Sequence, residues 1–185
     1  MRLILASASP RRAELLQSAG FGFTVAPAGV EEIPQTGESP EAYTRRVAHH
    51  KAAQVANGAG GEALVLAADT EVVVDGSILG KPADEDDARR MLRLLSGRSH
   101  EVLTTVVLIG RGRTADEVSI TRVWFATMTD REIGWYVASG EPMGKAGGYA
   151  IQGLGARFVE RIEGSWSNVV GLPLATIHRL LRAVE

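Results

Sequence analysis

Short runs of apolar or β-branched residues alternate with amphipathic stretches along most of this 185-residue chain. The run "RLILAS" is followed by "RRAELLQSAG", and "FGFTVAPA" is followed by the long stretch "SPEAYTRRVAHHKAAQVANG". Because the apolar runs suit buried strands and the amphipathic stretches suit helices, this rhythm predicts an α/β fold. Hydrophobic residues make up 45% of the chain. That proportion is enough for a core within one globular domain, residues 1–185, or within two small lobes.

Two serine–proline pairs mark the starts of helices. Ser9 is the expected N-cap of the first helix with Pro10 at its first helical position, and Ser39 and Pro40 repeat this signal. Gly20 is the expected C-terminal stop of the first helix. Further helices are predicted at "DEDDARRMLRLLSG", at the capping box from Thr129 to Glu132, and at "LPLATIHRLLRAV".

The run "ALVLAADTEVVV", residues 63–74, is apolar except at Asp69, Thr70 and Glu71. It predicts a buried strand on each side of that break. Asp69 would then follow the carboxyl end of a central strand, which is where α/β sheets bind their ligands. A carboxylate in that place is a candidate base or metal ligand. The alternative is a turn aspartate that hydrogen-bonds to its own backbone.

Arg11 and Arg12 lie at the start of the first predicted helix. Unpaired backbone N–H groups and the helix dipole already make this end positive, so two arginines add like charge to like charge. A bound phosphate or pyrophosphate would relieve the repulsion, because hydroxyls, amides and guanidinium groups all donate to its oxygens. The alternative is a pair of solvated arginines on a surface helix.

Two other segments place polar groups where a ligand could meet them. Lys81 stands between glycine and proline in "LGKP", which predicts a rigid, non-helical loop. The alternative for a loop lysine is a solubilising role. The glycine-rich stretch "GKAGGYAIQG" ends in a segment whose Gln152 carries paired donor and acceptor groups suited to the edge of a base.

Composition excludes several classes of protein. The chain has no cysteine, so it forms no disulfide, and a metal would bind through oxygen or imidazole, as a hard cation such as Mg²⁺ does. A net charge of -2 argues against a surface that binds nucleic acid. No apolar run has the length of a signal-peptide core or a membrane helix, so we expect a cytoplasmic protein.

Six stretches, in order along nearly the whole chain, resemble the Maf family of nucleoside triphosphate pyrophosphatases: "LILASASPRRAELL", "GVEE", "ADTEVVVDGSILGKP", "MLRLLSGRSHEVLTTV", "GKAGGYAIQG" and "VVGLPL". The resemblance implies a two-lobed, ITPase-like α/β fold, with an elongated central mixed sheet flanked by helices and a substrate cleft between the lobes. It also implies a house-cleaning hydrolase of nucleotide metabolism that converts a nucleoside triphosphate to its monophosphate and diphosphate. A divalent cation, Mg²⁺ or Mn²⁺, and a homodimer are expected from the same resemblance.

The resemblance assigns roles by position. It implies that Asp69 is the catalytic acid/base, that Glu32, Lys51 and Lys81 are catalytic as well, and that Glu32 and Asp69 bind the metal. The neighbouring Glu31 is the alternative to Glu32. The residues implied to bind the substrate are Ser7, Ser9, Arg11, Arg12, Thr70 and Gln152.

Three of these positions separate the branches of the family. Where the 7-methyl-GTP branch tends to carry tryptophan, glutamine and glutamate, this chain has Arg11, Thr70 and Gln152. The chain therefore resembles the dTTP/UTP branch, with modified pyrimidine nucleotides as further substrates. The alternatives are a 7-methyl-GTP-type or broad-specificity pyrophosphatase, and a non-catalytic nucleotide-binding regulator of cell division. A nucleic-acid-binding protein that uses the arginine pair and "TRR", residues 44–46, is a third.

Overall fold

The structure is a computed structural model that describes residues 2–60 and 62–184. These residues form a mixed seven-stranded sheet flanked by helices, which confirms the predicted α/β class. The strands are β1 (Arg2–Leu5), β2 (Phe23–Val25), β3 (Ala63–Val74), β4 (Ser77–Leu79), β5 (Ser99–Gly110), β6 (Arg113–Phe125) and β7 (Val159–Glu163). The helices are α1 (Pro10–Ser18), α2 (Pro40–Ala59), α3 (Glu85–Leu95), α4 (Asp130–Ala138), α5 (Trp166–Val170) and α6 (Leu174–Val184). The strand order is β2-β1-β3-β5-β6-β7, with β4 paired to β3.

The chain divides into two compact units. The first contains Met1–Asp69, Thr104–Ser119 and Gly171–Glu185, and the second contains Thr70–Leu103 and Ile120–Val170. The single domain predicted over residues 1–185 stays a prediction.

Both serine–proline pairs begin helices as predicted. Ser39 accepts a hydrogen bond from the amide of Ala42 and caps α2, and Pro40 is the first residue of that helix. Ser9 is the N-cap of α1, but within the described residues its side chain makes no capping bond. The helix α1 ends at Ser18, and Gly20 follows with a φ of 78°, which favours glycine.

The core of the first unit lies between α2 and the strands β1, β3 and β5. Strand β1 pairs with β2 on one side and with β3 on the other, so that Leu5 stands opposite both Val25 and Leu66. The small side chains of Ala48 and Ala52 allow α2 to pack closely on these strands. The buried residues of this cluster are Ile4, Ala6, Ala48, Ala52, Ala63, Val65, Ala67 and Val107.

The predicted break in residues 63–74 is wrong. Strand β3 runs without interruption through Asp69, Thr70 and Glu71 to Val74, where it turns back into the antiparallel strand β4. Asp69 therefore lies inside a strand and does not follow the end of one. The polar side chains do not end the strand, because strand pairing uses backbone N–H and C=O groups. That pairing continues from β3 to β4.

The second unit is built around α3 and α4, which pack against each other. The capping box of α4 forms as predicted, with Thr129 and Glu132 each bonding the other's backbone amide. The buried face of α3 follows helical spacing: Ala88, Met91, Leu92 and Leu95. Two short elements, β4 and α5, were not predicted, because three to five residues carry too little periodic pattern to be recognised.

Candidate active site

A buried lysine joins two carboxylates in the first unit. The Nζ atom of Lys51 lies 2.7 Å from Oδ1 of Asp69 and 2.6 Å from Oε1 of Glu32. Lys51 and Asp69 are buried, whereas the Glu32 side chain is 35% exposed and is the member of the cluster most open to a ligand. The structure thus brings together three residues that the sequence analysis placed in the site, and Glu32 rather than its alternative Glu31 contacts Lys51.

The unequal lengths of neighbouring parallel strands create this cluster. Strands β1 and β2 end at Leu5 and Val25, which are level with Leu66 of β3. Strand β3 continues beyond this level, and Asp69 lies three residues after Leu66. Asp69 therefore projects beyond the carboxyl ends of its neighbours on that side, although its own strand does not end there. Ligands of α/β sheets collect at such an edge. The prediction that Asp69 follows the end of its own strand is wrong, but Asp69 does lie beyond the ends of β1 and β2.

The charges of the cluster do not cancel. Two carboxylates and one ammonium leave a net charge of one unit negative when all three are ionised, which attracts a cation. One oxygen of the buried Asp69, Oδ2, has no hydrogen-bond partner among residues 2–60 and 62–184. A buried carboxylate oxygen without a partner is costly unless something else occupies its lone pairs. A cation or a water molecule would satisfy it.

The cluster suits a magnesium ion that is held partly by the substrate and by water, and not a metal that is held by protein ligands alone. Over the part of the chain that the structure describes, no group of three or more His, Cys, Asp or Glu side chains is placed to hold a metal. Mg²⁺ is commonly bound by only one or two carboxylates and completes its shell with substrate phosphates and water. Glu32 and the free oxygen of Asp69 fit that pattern.

The segment after β1 forms a second polar group in the same unit. The hydroxyl oxygen of Ser7 accepts hydrogen bonds from the amide of Ser9 at 3.2 Å and from Nη1 of Arg12 at 3.1 Å. The Nε atom of Arg12 also donates to the carbonyl of Gly171 at 2.8 Å. These bonds orient the guanidinium of Arg12 at the start of α1, so it is not a solvated surface arginine.

Arg11 is held differently from its neighbour. Its guanidinium is half-buried and donates no hydrogen bond to any residue that the structure describes. Burial lowers the pKa of Arg11 below its usual value, and the nearby Glu14 acts in the opposite direction. A half-buried cation without a hydrogen-bond acceptor is suited to contact a ligand.

The loop that carries Glu32 is fastened to α2 by one arginine. Nε and Nη2 of Arg46 each donate to the Glu38 carboxylate at 2.7 Å, and Nη2 also donates to the carbonyl of Ile33 at 3.0 Å. The hydrogen bonds from Arg46 lower the pKa of Glu38 from 4.5 to about 2. Arg46 thus holds the residue next to Glu32. This role was not predicted, because Glu38 lies before the N-cap of α2 and therefore shares no periodic pattern with Arg46.

The "TRR" segment, which was considered for nucleic-acid binding, has partners within the first unit. Thr44 is buried and hydrogen-bonds to Thr105 at 2.9 Å. Arg45 forms ion pairs with Glu41 and Asp116, and Arg46 pairs with Glu38. These contacts explain the two arginines as parts of the fold.

Three predicted site residues belong to the second unit. Thr70 is half-buried on β3, and Lys81 is exposed in the loop after β4. Gln152 is exposed in the turn that follows the helical turn Ala146–Gly148 and precedes Leu154–Phe158. Their roles stay predictions.

None of the described helices is both long enough and apolar enough to cross a membrane.

The comparison with protein families decides the relationship. A family model described as "Maf-like protein" matches residues 2–184. The chain belongs to the Maf family. A Maf relative from Anaeromyxobacter dehalogenans, named dTTP/UTP pyrophosphatase, is 54% identical over 185 residues, covering 98% of this chain and 93% of the relative. A protein of the same name from Koribacter versatilis is 51% identical, covering 98% of this chain and 94% of the relative.

A solved structure supports the fold of this Maf protein. The Ham1 protein of Staphylococcus aureus matches with a TM-score of 0.55 at 14% identity, covering 100% of this chain and 97% of that protein. At this identity the likeness shows the fold alone. The family resemblance and the fold class predicted from the sequence are both confirmed.

Proposed function

We propose that this Maf protein hydrolyses dTTP and UTP to the nucleoside monophosphate and diphosphate. The observation that carries the proposal is the buried Lys51 ammonium between Asp69 and Glu32, beyond the carboxyl ends of β1 and β2. The names of relatives that are more than half identical over almost their whole length support the choice of substrates.

Cleavage between the α and β phosphates needs a water molecule aligned on the α phosphorus and relief of charge on the departing diphosphate. In this proposal, the Asp69 carboxylate orients that water and accepts its proton. Lys51 holds Oδ1 of this carboxylate at 2.7 Å, which prevents the carboxylate from rotating away. The water oxygen forms a bond to the α phosphorus, and the bond to the bridging oxygen of the diphosphate breaks.

Glu32 and Asp69 would hold a divalent cation, Mg²⁺ or Mn²⁺. When bound, the cation supplies neutralisation of the phosphate charge. Arg12, whose guanidinium is oriented by Ser7 and Gly171, binds phosphate oxygens at the start of α1, where Ser9 and the backbone amides add further donors.

The second unit contributes three residues to the proposal. Lys81 neutralises the phosphate chain. Thr70 and Gln152, together with Arg11 of the first unit, select the pyrimidine base, because a glutamine amide offers a paired donor and acceptor to a base edge. A homodimer and a cytoplasmic, house-cleaning role remain parts of the proposal.

A panel of nucleoside triphosphates tests the function. The purified protein is incubated with Mg²⁺ and each of dTTP, UTP, GTP and 7-methyl-GTP in water labelled with ¹⁸O. The products are separated and their masses are measured by mass spectrometry. We expect diphosphate release from dTTP and UTP, with the label in the monophosphate. Formation of UDP and phosphate, or of labelled diphosphate, would show that the bond is cleaved elsewhere. Preference for 7-methyl-GTP, or binding without turnover, would favour the alternative branch or a nucleotide-binding regulator.

A further inference from the structure

Glu141 holds the turn around Gln152 in place through hydrogen bonds. Its Oε1 accepts hydrogen bonds from the hydroxyl of Tyr136 at 2.7 Å and from the amide of Gly155 at 2.9 Å, and its Oε2 accepts from the amide of Leu154 at 2.9 Å. The Tyr136 hydroxyl in turn accepts from the amide of Ala150 at 3.1 Å. The backbone is therefore held on both sides of Gln152.

Two glycines allow this close approach. A Cβ atom on Gly153 would collide with the Glu141 carboxylate. A Cβ on Gly155 would lie 2.7 Å from the Tyr136 hydroxyl, which is closer than such atoms approach each other. Gly153 and Gly155 are thus required by packing, because they let the turn contact Tyr136 and Glu141 directly.

The chemistry of the pair suits a permanent fastening. Burial opposes ionisation of Glu141, but the hydrogen bonds from Leu154, Gly155 and Tyr136 outweigh it and lower the pKa of Glu141. Burial, with the bond to Glu141, raises the pKa of Tyr136. An ionised acceptor and a neutral donor therefore face each other over the neutral pH range, and charge-assisted hydrogen bonds are the stronger kind.

Gln152 itself depends on this backbone. Its side chain is exposed and forms no hydrogen bond within the described parts of the chain, so the direction of its amide is decided by the turn that carries it. A group that distinguishes bases must be aimed closely, because a displacement of about 1 Å can cost a hundredfold in rate.

We propose that Tyr136 and Glu141 are positioning residues that aim Gln152 and thereby determine how strictly the enzyme selects its base. The inference rests on the base-selecting role given to Gln152 in the proposed function. Neither residue needs to touch the nucleotide, since both act through the turn.

The test compares the ratio of kcat/KM for UTP to that for GTP among variants. Glu141→Gln replaces an acceptor oxygen by an NH₂ group, and Tyr136→Phe removes only a hydroxyl while keeping the ring that packs on Phe158. Gln152→Ala is the benchmark, and Glu163→Gln, an exposed partner of Arg161 on β7, is the matched control. We expect Glu141→Gln and Tyr136→Phe to lower the ratio by about fivefold to tenfold, through a higher KM for UTP.

Two readouts separate positioning from a merely structural role. Amide hydrogen exchange at Leu154 and Gly155 should accelerate in Glu141→Gln, and this variant should lower the ratio no further when combined with Gln152→Ala. The inference would be overturned if Glu141→Gln and Tyr136→Phe lowered the Tm but left the ratio unchanged, while Gln152→Ala alone lowered the ratio. The proposed function would then still stand. If Gln152→Ala leaves the ratio unchanged, the role of Gln152 in the proposed function fails, and the inference fails with it.

Discussion

Lys51 of α2 donates a hydrogen bond to Asp69 of β3 across 2.7 Å, and both side chains are buried. A buried ion pair gains little over two apolar residues, because both charges lose their hydration. Removal of only one partner is costly, however, because the other charge is then buried without compensation. The pair is therefore poorly explained by stability and well explained by a requirement for a carboxylate in a defined orientation.

Asp69→Asn should abolish most of the activity. The amide keeps the shape of the side chain but accepts no proton, and loss of a general base commonly lowers rates by about a hundredfold or more. Diphosphate release from UTP at saturating Mg²⁺ measures the effect. Asp75→Asn is the matched control, because Asp75 is an exposed aspartate paired with Arg98 in the second unit. Activity of Asp69→Asn equal to that of the control would rule out Asp69 as the base.

Lys51→Met should destabilise the fold by about 3 kcal/mol, because it leaves the buried Asp69 carboxylate without its cation. The same substitution in an Asp69→Asn background should destabilise the protein less, by a coupling of about 1–3 kcal/mol. Urea unfolding of the wild type, both single variants and the double variant gives the four free energies of unfolding. Simple additivity would show that Lys51 and Asp69 do not interact in solution.

Arg46→Lys should loosen the Glu32 loop. Lysine lacks the planar fork that grips Glu38 with two bonds while also reaching the carbonyl of Ile33. We expect kcat/KM for UTP to fall by about fivefold to tenfold, and the Mg²⁺ concentration for half-maximal activity to rise.

The neighbouring arginine provides the control for this prediction. Arg45 lies on the same helix and pairs with Glu41 and Asp116, outside the Glu32 loop. Arg45→Lys should leave both kcat/KM and the Mg²⁺ dependence unchanged. Equal losses in the two variants would assign the effect to α2 as a whole.

His100 should make folding sensitive to acid. Its ring is buried beside Phe125 and Tyr149, and Nε2 pairs with the Tyr149 hydroxyl at 2.8 Å. Burial lowers the pKa of His100 from 6.5 to about 4. Between these two values the unfolded chain binds a proton that the folded chain does not, so the free energy of unfolding falls as the pH is lowered. The shift corresponds to at most about 3 kcal/mol between pH 6.5 and pH 4.

His100→Gln isolates this contribution, because the amide retains a partner for Tyr149 but does not titrate. The difference in unfolding free energy between wild type and variant should change across that pH range and be constant above it. A constant difference from pH 4 to pH 8 would contradict the assignment. Denaturant unfolding at a series of pH values provides the measurement.

Helix boundaries were the most predictable part of this fold. Ser39 and Thr129 cap amides only three residues further along the chain, and Ser9–Pro10 lies directly at the start of its helix. Strand limits were less predictable. The polar residues at 69–71 looked like a break, but β3 runs through them to Val74.

The candidate site shows the same division. Its residue types could be recognised from family motifs, but the residues that hold them in place could not. Glu38 contacts Arg46, and Glu141 contacts the amide of Gly155, across separations of eight and fourteen residues. The two members of each pair do not lie in the same helix or strand, so no periodic pattern in the sequence indicated either pair.

The sequence by itself determined the positions of the longer helices, the family and the chemical types available for catalysis, because these depend on local patterns and on motifs. Only the tertiary structure decided which of those groups meet. Asp69 stands clear of β1 and β2 because β3 runs on where they stop, and α2 places Lys51 against it while the loop after β2 delivers Glu32. Strand register and helix packing are set by contacts between distant segments, which the linear sequence does not display.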